Sequence, residues 1–285
     1  MSAQIINGKQ ISETIRSEIR AEVDRLKEKG LRPGLVVILV GEDPASQVYV
    51  RNKAKACEDL GFYSEVVRIP ADTTQDQLLA LIDKYNADAA IHGILVQLPL
   101  PKHIHEKAVI DAIAVAKDVD GFHPISVGNL MIGDDALLPC TPSGCVELLK
   151  RTGNSPAGKH VVVIGRSNIV GKPVSMLLLR ENATVTMCHS KTPNLPEMAR
   201  QADILVVAVG VAKLVKHDWV KPGAVVIDVG MNRLPDGKLC GDVDYDDVAD
   251  TASWITPVPG GVGPMTITML MSNTLKAAKI ASGLN

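Results

Sequence analysis

The feature that most constrains this chain is its alternation of short, wholly apolar segments with amphipathic ones. Residues 35–40 and 161–164 are continuous runs of Val, Ile and Leu, whereas residues 9–29 carry Ile, Val and Leu at three- and four-residue spacing before Gly30. Continuous apolar runs are typical of parallel strands covered by helices, and the wider spacing predicts an amphipathic helix. Aromatic residues make up only 3% of the chain, so the core must consist of aliphatic side chains.

The alternation forms two series and predicts an α/β fold of two domains. In the first series we expect helices near 9–29, 45–60, 75–86 and 103–115, with strands at 35–40, 63–69 and 93–96. A loop rich in Gly and Pro spans 120–142, and a helix near 143–152 leads into the second series, with strands at 160–165, 184–187, 204–209 and 224–229. Residues 257–264 are too rich in Pro and Gly for regular structure, and a last helix is expected over 265–281.

We place the domain boundary so that the last helix returns to the first domain. The first domain then comprises residues 1–140 plus 265–285, and the second comprises residues 141–264. The second series resembles a Rossmann-like nucleotide-binding domain, because a strand leads directly into a glycine-containing turn and a helix.

Composition and charge exclude several classes of protein. The 30 Lys and Arg residues nearly balance the 32 Asp and Glu residues, and no run of like charges occurs, so we expect neither a nucleic-acid nor a membrane partner. No apolar run approaches the length of a membrane span, and no basic segment followed by an apolar stretch marks a secretory signal, so we expect a cytoplasmic protein. The five cysteines and seven histidines lack metal-ligand spacing, which predicts no metal site.

The strand at 161–165 is followed by a candidate phosphate-binding loop. This turn would direct backbone N–H groups and a helix dipole at a phosphate. Its candidate cofactor-binding residues are Gly165, Arg166, Ser167, Ile169, Val170 and Gly171. The match to Gly-x-Gly-x-x-Gly is imperfect, because Ser167 replaces the second glycine and Gly171 comes one residue late. A tight turn between a strand and a helix explains the same residues, whereas a P-loop is excluded by the spacing and by Pro173.

The residues after the strand at 184–187 favour NADP over NAD. No carboxylate occurs between Asn182 and Pro196, where an acidic residue would hold the ribose hydroxyl of NAD. Arg166 and Ser190 could instead bind a 2′-phosphate.

Four polar residues of the first series are candidates for the chemistry. Tyr49 and Lys53 lie four residues apart and would share one face of a helix, although such a pair is commonly just solvated. Gln97 and Asp120 are the polar residues expected at the other strand ends of this series, and the carboxyl ends of parallel strands face the crevice where ligands bind.

Five segments in order resemble the bifunctional methylenetetrahydrofolate dehydrogenase/methenyltetrahydrofolate cyclohydrolase family. They are residues 49–53 (Tyr-Val-Arg-Asn-Lys), 93–101 (Gly-Ile-Leu-Val-Gln-Leu-Pro-Leu-Pro), 117–121 (Lys-Asp-Val-Asp-Gly), 165–173 (Gly-Arg-Ser-Asn-Ile-Val-Gly-Lys-Pro) and 257–266 (Pro-Val-Pro-Gly-Gly-Val-Gly-Pro-Met-Thr). The resemblance runs from about residue 5 to 280 and is far more specific than any single motif.

The resemblance implies a homodimer that oxidises 5,10-methylenetetrahydrofolate with NADP and hydrolyses the product to 10-formyltetrahydrofolate, in one-carbon metabolism and purine biosynthesis. It implies that Lys53 is the catalytic lysine, that Tyr49 lies beside it over the substrate and that Gln97 holds it. It implies further that Asp120 binds the pterin ring and that a turn borders the folate, formed by Gly260, Gly261, Gly263 and Pro264. Two alternatives remain open: an NADP-dependent dehydrogenase of another small substrate, and a non-catalytic nucleotide-binding module.

Overall fold

The structure is a computed structural model that describes residues 2–284. The chain divides into two compact units, each formed by segments that are distant in sequence. The six-stranded unit comprises residues 2–13 and Thr141–Thr266, and the three-stranded unit comprises Thr14–Cys140 and residues 267–284. The units are named after their main sheets.

Ten α-helices are assigned within residues 2–284. They are α1 Gly8–Glu28, α2 Pro44–Leu60, α3 Gln75–Ala87, α4 Glu106–Ala112, α5 Pro124–Ile132, α6 Cys140–Arg151, α7 Gly171–Arg180, α8 Leu195–Ala199, α9 Tyr245–Val248 and α10 Val262–Ala281. Two short 3-10 helices cover Val115–Lys117 and His217–Trp219.

Eleven strands are assigned over the same described residues. They are β1 Gln4–Ile5, β2 Gly34–Val40, β3 Tyr63–Ile69, β4 Gly93–Val96, β5 His160–Ile164, β6 Thr184–Cys188, β7 Ile204–Val207, β8 Val225–Asp228, β9 Asn232–Arg233, β10 Leu239–Cys240 and β11 Trp254–Ile255. The main strands therefore lie where the apolar runs predicted them.

The three-stranded unit contains a parallel sheet in the order β3-β2-β4. Strand β2 is buried along its whole length, which explains its unbroken apolar sequence. Helix α2 begins where the Asp43 carboxylate accepts a hydrogen bond from the Ser46 N–H at 2.7 Å, and it ends at Gly61, whose φ of 77° closes the helix.

The six-stranded unit contains a parallel sheet in the order β1-β11-β8-β7-β5-β6. The chain passes from β5 to its neighbour β6 and then returns to the other side of β5 to form β7. Such a reversal creates a switch point between β5 and β7, where open α/β sheets bind their ligands. The N-terminal strand β1 pairs with β11, so residues 2–13 belong to this unit and not to the first domain in which the sequence analysis had placed them.

Several predicted elements differ from the structure, among them α6, which begins at Cys140 and not near residue 143. The segment 120–142, expected as a loop, contains α5, because Pro124 fits the first turn and the His123 side chain accepts a hydrogen bond from the Ile125 N–H at 3.1 Å. The helix expected at 103–115 is shorter and is followed by the 3-10 turn Val115–Lys117. The last helix begins at Val262 and not at residue 265, since Pro264 in the first turn needs no intrahelical N–H bond.

Candidate active site

Lys53 lies on the buried face of α2 in the three-stranded unit. The helix buries a stripe formed by Ser46, Val50, Lys53, Ala56, Cys57 and Leu60, and Lys53 is only 9% exposed. A lysine on such a stripe needs a polar partner for its amine. Tyr49, expected on the same face, is 45% exposed and therefore lies at the margin of this stripe.

Gln97 provides the partner of Lys53. The Lys53 Nζ donates to the Gln97 Oε1 at 3.0 Å, and the Gln97 Nε2 donates to the carbonyl oxygen of Leu98 at 2.7 Å. The Gln97 backbone N–H donates to the carbonyl oxygen of Ile38 on β2, which extends the sheet pairing one residue beyond β4. The amide of Gln97 is thus oriented at both ends, with its oxygen toward the lysine.

Asp120 lies within electrostatic reach of Lys53. Burial raises the pKa of Asp120, the positive charge of Lys53 lowers it, and the neighbouring Asp118 adds to the increase. Asp120 also lines a small cavity together with Leu98, Ile113 and Phe122. The three-stranded unit therefore places an amine, an amide and a carboxylate in one region.

Two further residues hold the Asp120 turn and were not singled out from the sequence. The buried Asp118 carboxylate accepts hydrogen bonds from the Phe122 N–H, the His123 N–H and the Ser126 Oγ, at 3.2, 2.8 and 2.9 Å. The Asn273 Nδ2 on α10 donates to the carbonyl oxygens of Val119 and Leu138, both at 2.8 Å. Asp118 could have been found from the sequence, because it lies two residues from Asp120 within residues 117–121. No pattern in the residues around Asn273 indicates a role for it.

The glycine turn after β5 lies in the six-stranded unit and is tightly folded. Gly165 has a φ of 132°, and a Cβ there would lie 2.2 Å from the carbonyl oxygen of Ala208. A Cβ at Gly171 would lie 2.2 Å from the carbonyl oxygen of Gly165 and 2.7 Å from the Arg166 nitrogen. Both positions therefore require glycine, as a turn that brings backbone close to a dinucleotide phosphate does.

Ser167 lies within the turn and bonds to the backbone that follows it. Its Oγ accepts hydrogen bonds from the backbone N–H groups of Val170 and Gly171 at 3.1 and 3.3 Å, just before and at the first residue of α7. Ile169 is 48% exposed and Arg166 is exposed. Within residues 2–284 the Arg166 side chain has no hydrogen bond or ion pair, so it can accept an external anion.

Ser190 comes from the strand adjacent to the glycine turn. Ile164 at the end of β5 is in register with Cys188 at the end of β6, and the Gly165 N–H donates to the Cys188 carbonyl oxygen at 2.9 Å. Arg166 and Ser190 each follow this register pair by two residues. Arg166 and Ser190 therefore follow the carboxyl ends of two adjacent strands, at the same edge of the sheet.

The turn predicted to border the substrate is also in the six-stranded unit. Gly260 has a φ of 106°, and its carbonyl oxygen accepts a hydrogen bond from the Lys9 N–H at 3.1 Å. A Cβ at Gly261 would lie 2.6 Å from the carbonyl oxygen of Pro257. Gly263 and Pro264 are in the first turn of α10. This turn and the residues Tyr49, Lys53, Gln97 and Asp120 thus belong to different units.

The comparisons with known families cover most of the chain. Residues 6–120 match the tetrahydrofolate dehydrogenase/cyclohydrolase catalytic domain, and residues 139–282 match the NAD(P)-binding domain of the same family. The chain belongs to the tetrahydrofolate dehydrogenase/cyclohydrolase family. The resemblance seen in the five sequence segments is therefore confirmed, and the two alternatives left open by the sequence are set aside.

Individual members of the family are similar over nearly their full length. The chain is 63% identical to the bifunctional protein FolD of Bacillus anthracis over 281 residues, covering 99% of this chain and 98% of the relative. The FolD structure from Campylobacter jejuni has a TM-score of 0.96 at 51% identity, covering 98% of this chain and 99% of that one. A Trypanosoma brucei enzyme solved with NADP cofactor and an inhibitor has a TM-score of 0.94 at 42% identity, covering 99% of both chains.

No helix within residues 2–284 is both long enough and apolar enough to cross a membrane. Among the same residues, no group of three His, Cys, Asp or Glu side chains is placed to hold a metal ion.

Proposed function

We propose that this family member oxidises 5,10-methylenetetrahydrofolate to the 5,10-methenyl compound with NADP, and then hydrolyses that product to 10-formyltetrahydrofolate. The single observation that supports this proposal most directly is the Lys53–Gln97 pair, with the Asp120 carboxylate in electrostatic reach. A buried amine held by an oriented amide suits a group that moves a proton at a fixed point. NADP, when bound, accepts the hydride from the one-carbon unit.

Asp120 is proposed to bind the pterin ring. The exocyclic amino group and the adjacent ring N–H of a pterin form a pair of donors, which matches the two oxygens of a carboxylate. Asn273 holds the Val119 carbonyl before Asp120, and Asp118 holds the N–H groups of Phe122 and His123 after it, so the backbone on both sides restricts where Asp120 can lie. The folate substrates of both reactions carry the same pterin ring, so Asp120 serves both.

Lys53 is proposed to act in the hydrolytic step. Water adds to the methenyl carbon and the adduct loses one proton. One carbon–nitrogen bond then breaks as the hydroxyl proton passes to the departing nitrogen, which leaves the formyl group on the other nitrogen. The amine of Lys53 takes the proton, while Gln97 fixes its position. Tyr49 is proposed to lie over the folate, where its exposed ring can contact the planar pterin.

The glycine turn is proposed to bind NADP in preference to NAD. Gly165 and Gly171 permit the close backbone approach that a pyrophosphate needs, and Arg166 and Ser190 lie at the ends of adjacent strands. An arginine and a hydroxyl are suitable ligands for a 2′-phosphate, and no acidic residue between Asn182 and Pro196 stands near the end of β6 to repel it. Gly260, Gly261, Gly263 and Pro264 are proposed to contact the folate.

The proposed assay separates the two activities in one protein. Methylenetetrahydrofolate and NADP are mixed with the enzyme while methenyl absorbance and NADPH are followed, and methenyltetrahydrofolate alone is then tested for hydrolysis above the spontaneous rate. We expect NADPH formation in the first mixture and accelerated hydrolysis in the second. Absence of NADPH formation would overturn the dehydrogenase assignment, and hydrolysis at the spontaneous rate would overturn the cyclohydrolase assignment.

We propose further that the enzyme is a cytoplasmic homodimer whose product supplies formyl groups for purine biosynthesis. The five cysteines are free and buried, which suits a reducing compartment. Leu179, Val211 and Met231 are apolar and exposed on the six-stranded unit, and a subunit interface would remove such side chains from water. Light scattering should give twice the mass of one chain, and the mass of a single chain would contradict the dimer.

A further inference from the structure

A pair of buried carboxylates in the six-stranded unit has no part in the function proposed above. Asp228 ends β8 and is 3% exposed, and Asp242 follows β10 and is fully buried. Buried carboxylates are costly unless their oxygens accept hydrogen bonds, so the donors around them show what the pair does.

Asp242 holds the turn that follows β7. Its Oδ2 accepts hydrogen bonds from the backbone N–H groups of Val209 and Gly210 at 2.7 and 2.9 Å, and its Oδ1 accepts one from the Asn232 Nδ2 at 2.9 Å. Two consecutive N–H groups directed at one carboxylate oxygen determine the local path of the backbone. Charge-assisted bonds of this kind are about twice as strong as neutral ones.

Asp228 in turn holds the backbone of Asp242. Its Oδ1 accepts hydrogen bonds from the N–H groups of Gly230 and Asp242 at 2.9 and 3.0 Å, and its Oδ2 accepts one from the Val243 N–H at 2.9 Å. A Cβ at Gly241 would lie 1.7 Å from the Asp228 Oδ2, and one at Gly230 would lie 2.3 Å from the Asp242 Cγ. The two glycines therefore let the backbone close around the carboxylates.

The turn held by Asp242 adjoins the glycine turn assigned to the cofactor. The Ala208 N–H donates to the carbonyl oxygen of Ile164 at 2.8 Å, and the Ala208 carbonyl oxygen occupies the space that a side chain at Gly165 would need. Val209 and Gly210 thus lie on the β7 side of the switch point, while Ser190 lies on the β6 side. If Ser190 contacts the 2′-phosphate at the adenosine end, the nicotinamide end of an extended dinucleotide lies on the β7 side.

We propose that Asp242 is a positioning residue for the nicotinamide half of the cofactor: it fixes the Val209–Gly210 turn against which that half binds, and Asp228 fixes Asp242. This inference rests on the proposed NADP-dependent function. In this proposal Asp242 contacts neither NADP nor the folate.

The test compares Asp242→Ala with the conservative Asp242→Asn. Alanine leaves the Val209 and Gly210 N–H groups without their acceptor. Asparagine keeps one oxygen that accepts from both N–H groups, and its NH₂ group can donate to Asn232 once the side-chain amide of Asn232 has turned over. We expect the Kd and KM for NADP to rise roughly tenfold or more in Asp242→Ala and by a smaller factor in Asp242→Asn. The dehydrogenase kcat at saturating NADP should change less than KM in both variants.

The second activity of the enzyme is the internal control. Hydrolysis of methenyltetrahydrofolate, assayed without NADP, should stay at the wild-type rate, because Lys53, Gln97 and Asp120, the residues proposed for the hydrolytic step and for holding the pterin, belong to the three-stranded unit. Asp236→Ala alters an exposed carboxylate in the same β9–β10 hairpin and should change neither activity. If Asp242→Ala does not fold, as thermal unfolding would show, Asp242→Asn decides the question by the same measurements.

The possible outcomes distinguish failure of the positioning role of Asp242 from failure of the proposed NADP-dependent function. Failure of the wild-type enzyme to bind NADP would contradict the proposed function itself. Wild-type binding together with unchanged NADP affinity in the folded Asp242 variants would overturn the positioning role alone. An equal loss of dehydrogenase and cyclohydrolase in those variants would also overturn it, because it would show a general structural defect.

Discussion

The Nζ of Lys53 on α2 donates a hydrogen bond to the Oε1 of Gln97, 3.0 Å away at the end of β4. A helix residue and a residue beyond a strand are brought together although 44 positions separate them in the chain. Because the amide of Gln97 is itself held at its other end, the amine of Lys53 has a defined position and not merely a buried one.

Replacement of Lys53 by methionine should separate the two activities. Methionine retains much of the aliphatic length, so the packing of α2 should change little, but it cannot accept a proton. General base catalysis is commonly worth about 10²- to 10⁴-fold, and cyclohydrolase activity should fall by that order while dehydrogenase activity falls less. Both rates are measured by methenyl absorbance after subtraction of the spontaneous hydrolysis.

The matched control for this variant is Lys55→Met, which removes an exposed lysine from the same helix and should leave both rates unchanged. Cyclohydrolase activity that survived in Lys53→Met with only a small loss would make Lys53 a positioning residue. The proton acceptor would then have to be another group.

Replacement of Asp120 by alanine should weaken both activities together. Its proposed partner is the pterin, which the dehydrogenase and cyclohydrolase reactions share, so the KM for folate substrates should rise in both assays. Asp111→Ala on α4 removes an exposed carboxylate from the same unit and serves as the control. Normal kinetics of Asp120→Ala in both assays would show that Asp120 is only a turn residue before Gly121.

Replacement of Arg166 by alanine should reduce the preference for NADP. The guanidinium has no partner within residues 2–284, and loss of one charge-assisted contact to a phosphate should lower kcat/KM for NADP by about ten- to a hundredfold. The value for NAD, which lacks the 2′-phosphate, should change little. Arg180→Ala at the far end of α7 is the control, and an unaltered NADP preference in Arg166→Ala would contradict the assignment.

The main strands and helices could be predicted because burial imposes a pattern on neighbouring residues. Strand β2 is buried on both faces and reads as an unbroken apolar run, and α2 shows its buried face at helical spacing. Strands β1 and β11 have two residues each and pair across about 250 positions, so no local pattern marks them. Helix α5 was missed because Pro124 and the glycines near it are typical of a loop.

Residues of the candidate site could be predicted only where the residue type and its spacing in the sequence indicated a function. The spacing of Tyr49 and Lys53 predicted a shared helix face, yet their exposures of 45% and 9% show that only Lys53 is on the buried stripe. The partnership of Lys53 with Gln97 followed from the family resemblance, not from spacing. The carboxylates of Asp228 and Asp242 could not be predicted as a site from the sequence, because most of their donors are backbone N–H groups that the fold alone brings together.

The buried carboxyl of Asp228 should make stability depend on pH. Burial raises the pKa of Asp228 from 3.8 to about 7, with a further increase from Asp242, although the backbone N–H groups of Val243, Asp242 and Gly230 lower it. Between these two values the folded state keeps a proton that the unfolded chain has released. This contribution therefore favours folding at low pH and is lost as pH rises toward 8, by up to about 4 kcal/mol. Urea unfolding of the wild type and Asp228→Asn, at several pH values from 5 to 8, measures this contribution, including its coupling to Asp242, by difference, since ionisable groups that do not interact with Asp228 affect both proteins alike. The stability of the wild type relative to Asp228→Asn should fall as pH rises, and a difference that stays constant across this range would show that Asp228 is already ionised at pH 5.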